Sequence, residues 1–360
     1  MKITRLGLKN FRNCENISLN LDSQKVLIIG KNAQGKTNIL ESIYCLSDLK
    51  SPRTSVMSDL IKFGADKFEI NSEVFKNDTE IELNINYSAE KKRELKVNGV
   101  KTSPRNFKNI VKTVLFSTKD LLLLRGAPQD RRDWLDRAIS QIYPAYDERL
   151  SKYDKFRIQK NNLLKNDIID ETLLEIYNEQ LAITGANIIF LRKKFLNEME
   201  KIAADKHKII SDTEKFTLSY TCPYDDVETI SKFLKDEMLR RKSEEIGRKQ
   251  CCVGPHRDDI EFKIDGLDAV KFASQGQQRT LVLALKLGEL DIIREKTGVT
   301  PILLLDDVLA ELDEVRQNFL LKSITSDIQT IITSVDTILF EEEFLKGVKI
   351  YTVNSGCIIE

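Results

Sequence analysis

The chain has 360 residues, of which 31% are charged, and its 56 lysines and arginines are balanced by 56 aspartates and glutamates. This length allows a large core, and we expect two domains or one domain with a long insertion. The zero net charge excludes DNA binding driven by overall charge, so a DNA partner would need a local basic patch. No apolar run has the roughly 18 to 20 residues of a membrane helix and no signal-peptide core is found, so we expect a cytoplasmic protein without a membrane partner. The six cysteines lack metal-ligand spacing, which predicts reduced thiols and no structural zinc.

Residues 1–128 are predicted to be rich in strands, and they contain a glycine-rich stretch between the apolar run Val26–Ile29 and a helical pattern at Asn38–Tyr44. Such a stretch is typical of a phosphate-binding loop, because glycines let the backbone N–H groups approach the phosphates. Lys36 would supply an ammonium group and Thr37 a magnesium-binding hydroxyl. A simple glycine-rich turn is the less favoured alternative. The residues predicted to bind a nucleotide here are Gly30, Lys31, Asn32, Ala33, Gln34, Gly35, Lys36, Thr37 and Asn38.

The rest of this segment predicts a sheet with a hairpin turn at Asn98-Gly99, followed by a strand at Val111–Phe116. From residue 129 to residue 250 the pattern changes to long helical stretches, which predicts an inserted helical domain. These stretches are Trp134–Leu164, Thr172–Lys206 and Val227–Arg241, and a short strand is predicted at Phe216–Tyr220.

Residues 251–360 return to alternating strands and helices, with buried strands predicted at Ile302–Leu305 and Thr330–Thr333. Asp306 and Asp307 follow the first of these strands, an arrangement that places one carboxylate beside a magnesium ion and the next beside an attacking water. We therefore predict Lys36, Asp306 and Asp307 as catalytic residues, and Thr37 and Asp306 as the Mg²⁺ site of an ATPase. An aspartate at position 307 has a shorter reach than a glutamate, so we expect slow turnover.

Ser274, Gln275 and Gly276 stand directly before the predicted helix Arg279–Arg294. A serine and a glycine at a helix N-terminus are typical of an anion site, but taken alone they are more often explained by simple N-capping by Ser274. The order of the parts favours the first interpretation. A phosphate loop, a helical insertion, a Ser-x-Gly helix start, an Asp-Asp pair and the acidic loop with Glu311 and Asp313 occur in this order in ATP-binding-cassette heads.

The chain resembles the RecF family of bacterial DNA-repair and recombination ATPases, which are related to the heads of SMC proteins. Five stretches covering nearly the whole length carry this resemblance: Leu8–Asn13, Gly35–Tyr44 with Ser51–Thr54, Gly126–Asp136, Gly254–Asp259 and Phe272–Arg279. The fold class that it implies is α/β, a P-loop ABC/SMC-like ATPase head with an inserted mainly helical domain. Thr118-Lys119 depart from the family pattern, and the contacts of Ser117 to Asp120 are therefore open.

The resemblance also implies roles for individual residues. Arg12 would lie near the nucleotide, Lys36 would contact the β- and γ-phosphates, and Ser274 would contact the ATP of a second subunit. The expected partners are an ATP-dependent homodimer, DNA with a gap or a single-strand/double-strand junction, and the mediators RecR and RecO. The alternatives are another SMC or ABC-type head with a structural, nuclease-associated or transport role, and a P-loop small-molecule kinase.

Two basic stretches are candidates for DNA contacts, although a solvated surface is the more common explanation of either one. The first comprises Lys91, Lys92, Arg93, Lys96, Lys101, Arg105, Lys108 and Lys112, and the second comprises Lys152, Lys155, Arg157, Lys160 and Lys165. His256 to Asp259 are interpreted as structural ion pairing rather than as a catalytic histidine site.

Overall fold

The computed structural model describes residues 1–211 and 214–359. The chain divides into two compact units. Unit 1 is Met1–Leu121 with Lys286–Glu360, and unit 2 is Leu122–Leu285. The predicted domain boundaries at 128/129 and 250/251 differ from the positions at which the chain passes from one unit to the other. These boundaries stay a prediction. Residues 260–264 fall in unit 2 because they form a strand that pairs with residues 216–220 of the helical stretch.

The secondary structure alternates strands and helices in unit 1 and is mainly helical in unit 2. The strands are β1 (Lys2–Phe11), β2 (Cys14–Asn20), β3 (Lys25–Ile29), β4 (Lys67–Lys76), β5 (Thr79–Ser88), β6 (Lys92–Val97), β7 (Val100–Lys101), β8 (Thr113–Ser117), β9 (Phe216–Tyr220), β10 (Ile260–Ile264), β11 (Leu267–Asp268), β12 (Ile302–Asp306), β13 (Thr330–Ser334), β14 (Lys349–Asn354) and β15 (Cys357–Ile359). The helices are α1 (Lys36–Asp48), α2 (Pro104–Lys108), α3 (Pro128–Ile142), α4 (Tyr146–Leu163), α5 (Glu171–Ile210), α6 (Val227–Arg240), α7 (Lys242–Arg248), α8 (Ala269–Phe272), α9 (Gln275–Thr297), α10 (Glu314–Ser323) and α11 (Glu342–Leu345).

One sheet of unit 1 is antiparallel, with the strand order β2-β1-β4-β5-β6-β7. Its last hairpin turns at Asn98 and Gly99, which have φ angles of 49° and 75°. Positive φ at both central residues is the type I′ geometry that Asn-Gly favours. The predicted hairpin is therefore confirmed.

The second sheet of unit 1 has the order β15-β14-β3-β13-β12-β8, and the five strands from β14 to β8 run parallel. The central strands are buried runs of Val, Leu and Ile, as expected for a sheet covered on both faces. The register pairs Ile29 with Ser334, Thr333 with Asp306, and Asp306 with Ser117. The carboxyl ends of β3, β13, β12 and β8 consequently meet at one edge of the sheet.

Helix α1 follows β3 after the loop of residues 30–35 and contacts both sheets of unit 1. Most of its residues are buried, which fits a helix covered on nearly all sides. Ile39 and Ile43 of α1 join the same core as Leu8 of the antiparallel sheet and Leu304 of the parallel sheet. This core fixes the start of α1 relative to the strand ends.

Unit 2 is built from α3 to α8, the first part of α9 and a small antiparallel sheet of the order β11-β10-β9. The prediction of one helical stretch from Trp134 to Leu164 is wrong in one respect. The helix ends at Ile142 and a new one begins at Tyr146, because Pro144 lacks the N–H that a continuous helix needs. The predicted helices at 172–206 and 227–241 and the predicted strand at 216–220 are confirmed as α5, α6 and β9.

A buried arginine holds unit 2 together at its centre. Arg192 on α5 is 2% exposed and donates two hydrogen bonds of 2.8 Å to the carboxylate of Asp136. It also donates to the hydroxyl of Tyr220 at 2.9 Å and to the carbonyl of Pro255 at 2.7 Å. One guanidinium thus joins α3, α5, β9 and the loop before β10.

Within the part of the chain that the structure describes, no helix is both long and apolar enough to cross a membrane.

Replacing Arg192 by methionine is expected to lower the free energy of unfolding by about 3 to 5 kcal/mol, because the half-buried Asp136 would lose its charged partner and the carbonyl of Pro255 its buried donor. Urea unfolding followed by circular dichroism measures this change. The exposed Lys201 on the same helix provides the control, since Lys201→Met removes a charge without such a contact and should change stability by less than about 0.5 kcal/mol. Equal losses in the two variants would contradict the central role of Arg192.

Candidate nucleotide-binding site

The predicted phosphate loop connects β3 to α1 in unit 1, as the sequence pattern indicated. Residues 31–33 are exposed, whereas Gly35 and Lys36 are buried. Gly30 is needed at the start of the loop, because a Cβ atom there would lie 2.4 Å from the carbonyl oxygen of Val353. The backbone at the start of the loop is therefore packed closely against β14.

Lys36 lies inside this loop. Its ammonium group donates to the carbonyl oxygens of Gly30 at 2.7 Å and Lys31 at 3.3 Å, and the residue is 3% exposed. The Oδ2 atom of Asp307 lies 3.7 Å from the same nitrogen. The loop thus holds a positive charge at the point where the sequence predicted phosphate contacts.

Asp306 ends the buried strand β12 and receives hydrogen bonds from two neighbouring elements. Thr37 Oγ1 donates to Asp306 Oδ1 at 2.9 Å, and Thr333 Oγ1 donates to the same atom at 3.0 Å. Burial raises the pKa of Asp306 above its ordinary value, and the two hydroxyl donors partly offset that shift. The predicted metal ligands Thr37 and Asp306 are therefore brought together by the fold.

Asp307 follows with a left-handed backbone, at a φ of 51°. Its amide donates to Thr333 Oγ1 at 2.9 Å, so Thr333 connects both aspartates. The Oδ1 atom of Asp307 is buried and has no hydrogen-bond partner among the described residues. A buried carboxylate oxygen left in this way fits a site that takes a metal-bound or attacking water.

The segment with open contacts, Ser117 to Asp120, follows β8 at the same edge of the sheet. Ser117 donates from its amide at 2.8 Å and from its hydroxyl at 2.7 Å to Asp120 Oδ2. The other oxygen of Asp120 pairs with Lys286 of α9 at 2.8 Å. A buried ion pair to α9 therefore fixes the segment whose contacts the sequence left open.

Arg12 lies in the turn between β1 and β2, and its guanidinium binds the buried carboxylate of Glu41 on α1 at 2.6 and 2.9 Å. Arg53 pairs with the same carboxylate at 3.2 Å and donates to Asn38 Oδ1 at 2.7 Å. Both arginines are thus fixed against the first turns of α1. The predicted place of Arg12 near the nucleotide stays a prediction.

Sequence reasoning assigned no role to Glu41, Arg53 or Thr333. A threonine at the end of a buried parallel strand was the available signal for Thr333, since the carboxyl ends of such strands form binding sites. A glutamate in the second turn of an otherwise buried helix was the signal for Glu41.

Ser274, Gln275 and Gly276 belong to unit 2, whereas the other predicted site residues belong to unit 1. Ser274 is exposed, and its hydroxyl accepts a hydrogen bond from the amide of Gln277 at 3.2 Å. The side chain of Gln277 in turn accepts from the amide of Ser274 at 2.7 Å. This reciprocal capping box is the arrangement that the N-cap interpretation predicts, and the serine lies on the surface.

Two of the stretches that carry the family resemblance meet inside unit 2. Arg131 binds the carboxylate of Asp259 through two hydrogen bonds of 2.7 Å, and Arg132 donates to the carbonyl of Asp258 at 2.7 Å. His256 is hydrogen-bonded to the hydroxyl of Tyr153 at 2.7 Å. These contacts join elements within unit 2, which agrees with the interpretation of residues 256–259 as structural.

Several residues of the two basic stretches are less available for DNA contacts than their sequence suggests. In the first stretch, Arg93 donates to the carbonyl of Leu49, Lys108 pairs with Asp48 and Lys112 is buried. In the second, Lys160 is 1% exposed and pairs with the buried Glu245, so its place in a DNA-contacting surface is wrong. The members that remain exposed are Lys91, Lys92, Lys101, Arg105, Lys152, Lys155 and Lys165.

Sequence comparison matches residues 2–359 to the family described as "RecF/RecN/SMC N terminal domain". Three similar proteins are each named DNA replication and repair protein RecF. The protein of Agathobacter rectalis is 39% identical, over 99% of this chain and 98% of that protein. The protein of Staphylococcus carnosus is 38% identical over the full length of both chains, and that of Symbiobacterium thermophilum is 37% identical over 100% and 98%.

Comparison with solved structures agrees with the sequence comparison. The recombination mediator protein RecF-ATPrS in the RecFOR pathway superposes with a TM-score of 0.92 at 34% identity, over 99% of this chain and 97% of that chain. The corresponding RecF-ATP structure has a TM-score of 0.90, also at 34% identity, over 99% and 96%. An Smc head bound to the C-terminal winged-helix domain of ScpA covers 100% and 98% with a TM-score of 0.59 at 14% identity, which supports the fold alone. The predicted α/β fold of an ABC/SMC-like ATPase head is confirmed.

The half-buried His256 of unit 2 provides a prediction of pH dependence. Burial, together with the nearby charges of Arg157 and Arg257, lowers the pKa of His256 to about 3. Below the ordinary pKa of about 6.5 the unfolded chain therefore binds a proton that the folded chain does not, so stability falls as the pH falls from that value towards 3. His256→Asn removes this contribution, and its stability loss between pH 7 and pH 4.5 should be smaller than that of the unaltered chain by about 2 kcal/mol.

Urea unfolding at four pH values over this range measures the difference. Parallel stability curves for the two chains would show that His256 is not held neutral in the folded state.

Proposed function

The chain belongs to the RecF/RecN/SMC N-terminal domain family, and from this premise we propose that it is an ATP-dependent DNA-binding protein of recombinational repair and replication restart. The observation that carries the proposal is the contact between Thr37 and Asp306, with Lys36 and Asp307 beside it. These side chains come from two segments that are distant in sequence, the start of α1 and the end of β12, and together they form one half of an ATP site. Slow hydrolysis acts here as a switch.

The residues of this half-site have distinct tasks. The amides of residues 30–38 and the ammonium group of Lys36 bind the triphosphate. Thr37 and Asp306 would hold Mg²⁺, which when bound neutralises phosphate charge and polarises the terminal phosphate. Asp307 orients the attacking water through the Oδ1 atom that has no partner among the described residues.

The second half of the site comes from another copy of the chain. Ser274 is exposed at the N-terminus of the long helix α9, where the dipole favours an anion. A γ-phosphate held between Lys36 of one copy and Ser274 of the other gains contacts that ADP does not offer. ATP therefore favours the homodimer and hydrolysis weakens it.

Because the chain carries no overall positive charge, DNA binding depends on local groups of exposed lysines and arginines, which contact the DNA phosphates. The preferred form is a gapped duplex or a single-strand/double-strand junction. Solved relatives are described within the RecFOR pathway, which supports RecR and RecO as partners and the loading of a recombinase as the outcome.

Sedimentation velocity with ATP, ADP or no nucleotide, each with and without gapped duplex, tests this proposal as a whole. We expect a dimer with ATP and Mg²⁺ and a monomer with ADP. Lys36→Ala should weaken ATP binding by about tenfold or more, because a buried charged hydrogen-bond donor is lost. The exposed Lys50 gives the control variant Lys50→Ala, which should behave as the unaltered chain. The same sedimentation profile under all nucleotide conditions would contradict the proposal.

Ser274→Arg separates ATP binding from dimerisation. The larger side chain should block the second copy, so ATP-induced dimerisation weakens by about tenfold or more while ATP binding by the isolated chain changes less than about twofold. Ser103 is also an exposed serine that caps a helix, and Ser103→Arg is the matched control. Dimerisation that survives Ser274→Arg, measured by light scattering, would remove Ser274 from the shared site.

A further inference from the structure

Two hairpin turns of unit 1 converge on a single residue of the phosphate loop, Gln34. The turn between β14 and β15 contributes Ser355 and Gly356, and the turn between β1 and β2 contributes Asn13. The carbonyl oxygen of Gln34 accepts from the amide of Gly356 at 2.8 Å and from Asn13 Nδ2 at 3.2 Å. The side-chain oxygen of Gln34 accepts from the amide of Ser355 at 2.6 Å. Both the backbone and the side chain of this loop residue are therefore held from outside the loop.

The two turns also contact each other. A Cβ atom on Gly356 would lie 2.4 Å from the carbonyl oxygen of Asn13, so no side chain fits between them. Asn13 Oδ1 in turn accepts from Asn38 Nδ2 at 2.7 Å, at the first turn of α1. The contacts thus run from the C-terminal hairpin across the middle of the loop to the start of the helix.

The loop needs such support because of its backbone. Ala33, directly before Gln34, has a left-handed φ of 65°, which costs free energy for a residue with a Cβ atom. Backbone N–H groups bind phosphate well only when they already point in the required direction, since ordering a mobile loop on binding lowers affinity. Hydrogen bonds to the next residue, Gln34, hold this conformation from outside the loop.

We propose that the β14–β15 turn is a positioning element for the phosphate loop, in which Ser355 and Gly356 set the affinity for the nucleotide triphosphate by holding Gln34. The inference rests on the proposed function, because it requires the nucleotide to bind at residues 30–38. Neither Ser355 nor Gly356 is proposed to contact the nucleotide.

A pair of matched glycine variants tests the proposal. Gly356 and Gly99 both occupy the second central position of a two-residue hairpin turn, with φ angles of 77° and 75°, after Ser355 and Asn98 that both have a φ of 49°. Alanine at either position meets the same backbone strain. A Cβ atom at Gly99 meets nothing within 4 Å, whereas at Gly356 it displaces Asn13. The two variants therefore differ in the contact to the phosphate loop.

Binding of a fluorescent N-methylanthraniloyl-ATP with Mg²⁺ gives the first readout, and urea unfolding without nucleotide gives the second. Gly356→Ala should weaken binding by about tenfold, the size expected when one or two hydrogen bonds that organise the loop are lost. Gly99→Ala should change the affinity by less than about twofold. Equal affinities in the two alanine variants would overturn the proposal.

A second variant leaves the backbone of both turns unchanged. Gln34→Met keeps the side-chain length and removes the acceptor for the Ser355 amide. It should weaken nucleotide binding while the urea midpoint stays close to that of the unaltered chain. Combined with Gly356→Ala, it should add less than its own effect, because both changes act through the same loop residue.

The variant Gln34→Met tests the proposal by itself if Gly356→Ala does not fold. Unchanged nucleotide affinity in Gln34→Met would then overturn the proposal. Failure of the unaltered chain to bind the fluorescent nucleotide would overturn both this inference and the proposed function. Normal binding by the unaltered chain with unaffected variants would overturn this inference alone.

Discussion

The candidate site depends on one set of hydrogen bonds at the carboxyl edge of the parallel sheet, in which Thr37 and Thr333 both donate to Asp306. These three residues belong to α1, β13 and β12, and they meet because the strands pair in one particular register. A shift of one residue would turn Asp306 to the opposite face of the sheet. The apolar core around α1 and the strands maintains this register, so hydrophobic burial far from any phosphate determines where the polar groups lie.

The fold also determines why two lysines, Lys36 and Lys160, are buried rather than exposed. Lys36 is buried because its ammonium group is satisfied by loop carbonyls, contacts that phosphates would replace under the proposed function. Lys160 is buried because Glu245 satisfies it inside unit 2, and it has no access to a phosphate backbone. Charge in the sequence therefore indicates a binding surface only when the fold leaves that charge available.

Local patterns predicted most of the elements and the residues of the half-site. The phosphate loop, the Asn98-Gly99 turn and the aspartates after β12 are recognised from a few neighbouring residues, because their geometry is determined by short-range sterics and hydrogen bonds. Thr333, Asn13 and the partner of Lys160 were not predicted, since their contacts join residues distant in sequence. The break at Pro144 has a clear local signal in the missing N–H, although the helical pattern on both sides of it predicts one continuous stretch.

A crystal structure of the chain with Mg²⁺ and a slowly hydrolysed ATP analogue tests the proposed ATP site most directly. We expect the triphosphate to lie on the amides of residues 30–38, in contact with the ammonium group of Lys36, and the metal to lie at Thr37 and Asp306. A nucleotide bound elsewhere on the chain, with the direct hydrogen bond from Thr37 to Asp306 retained, would contradict the proposed site.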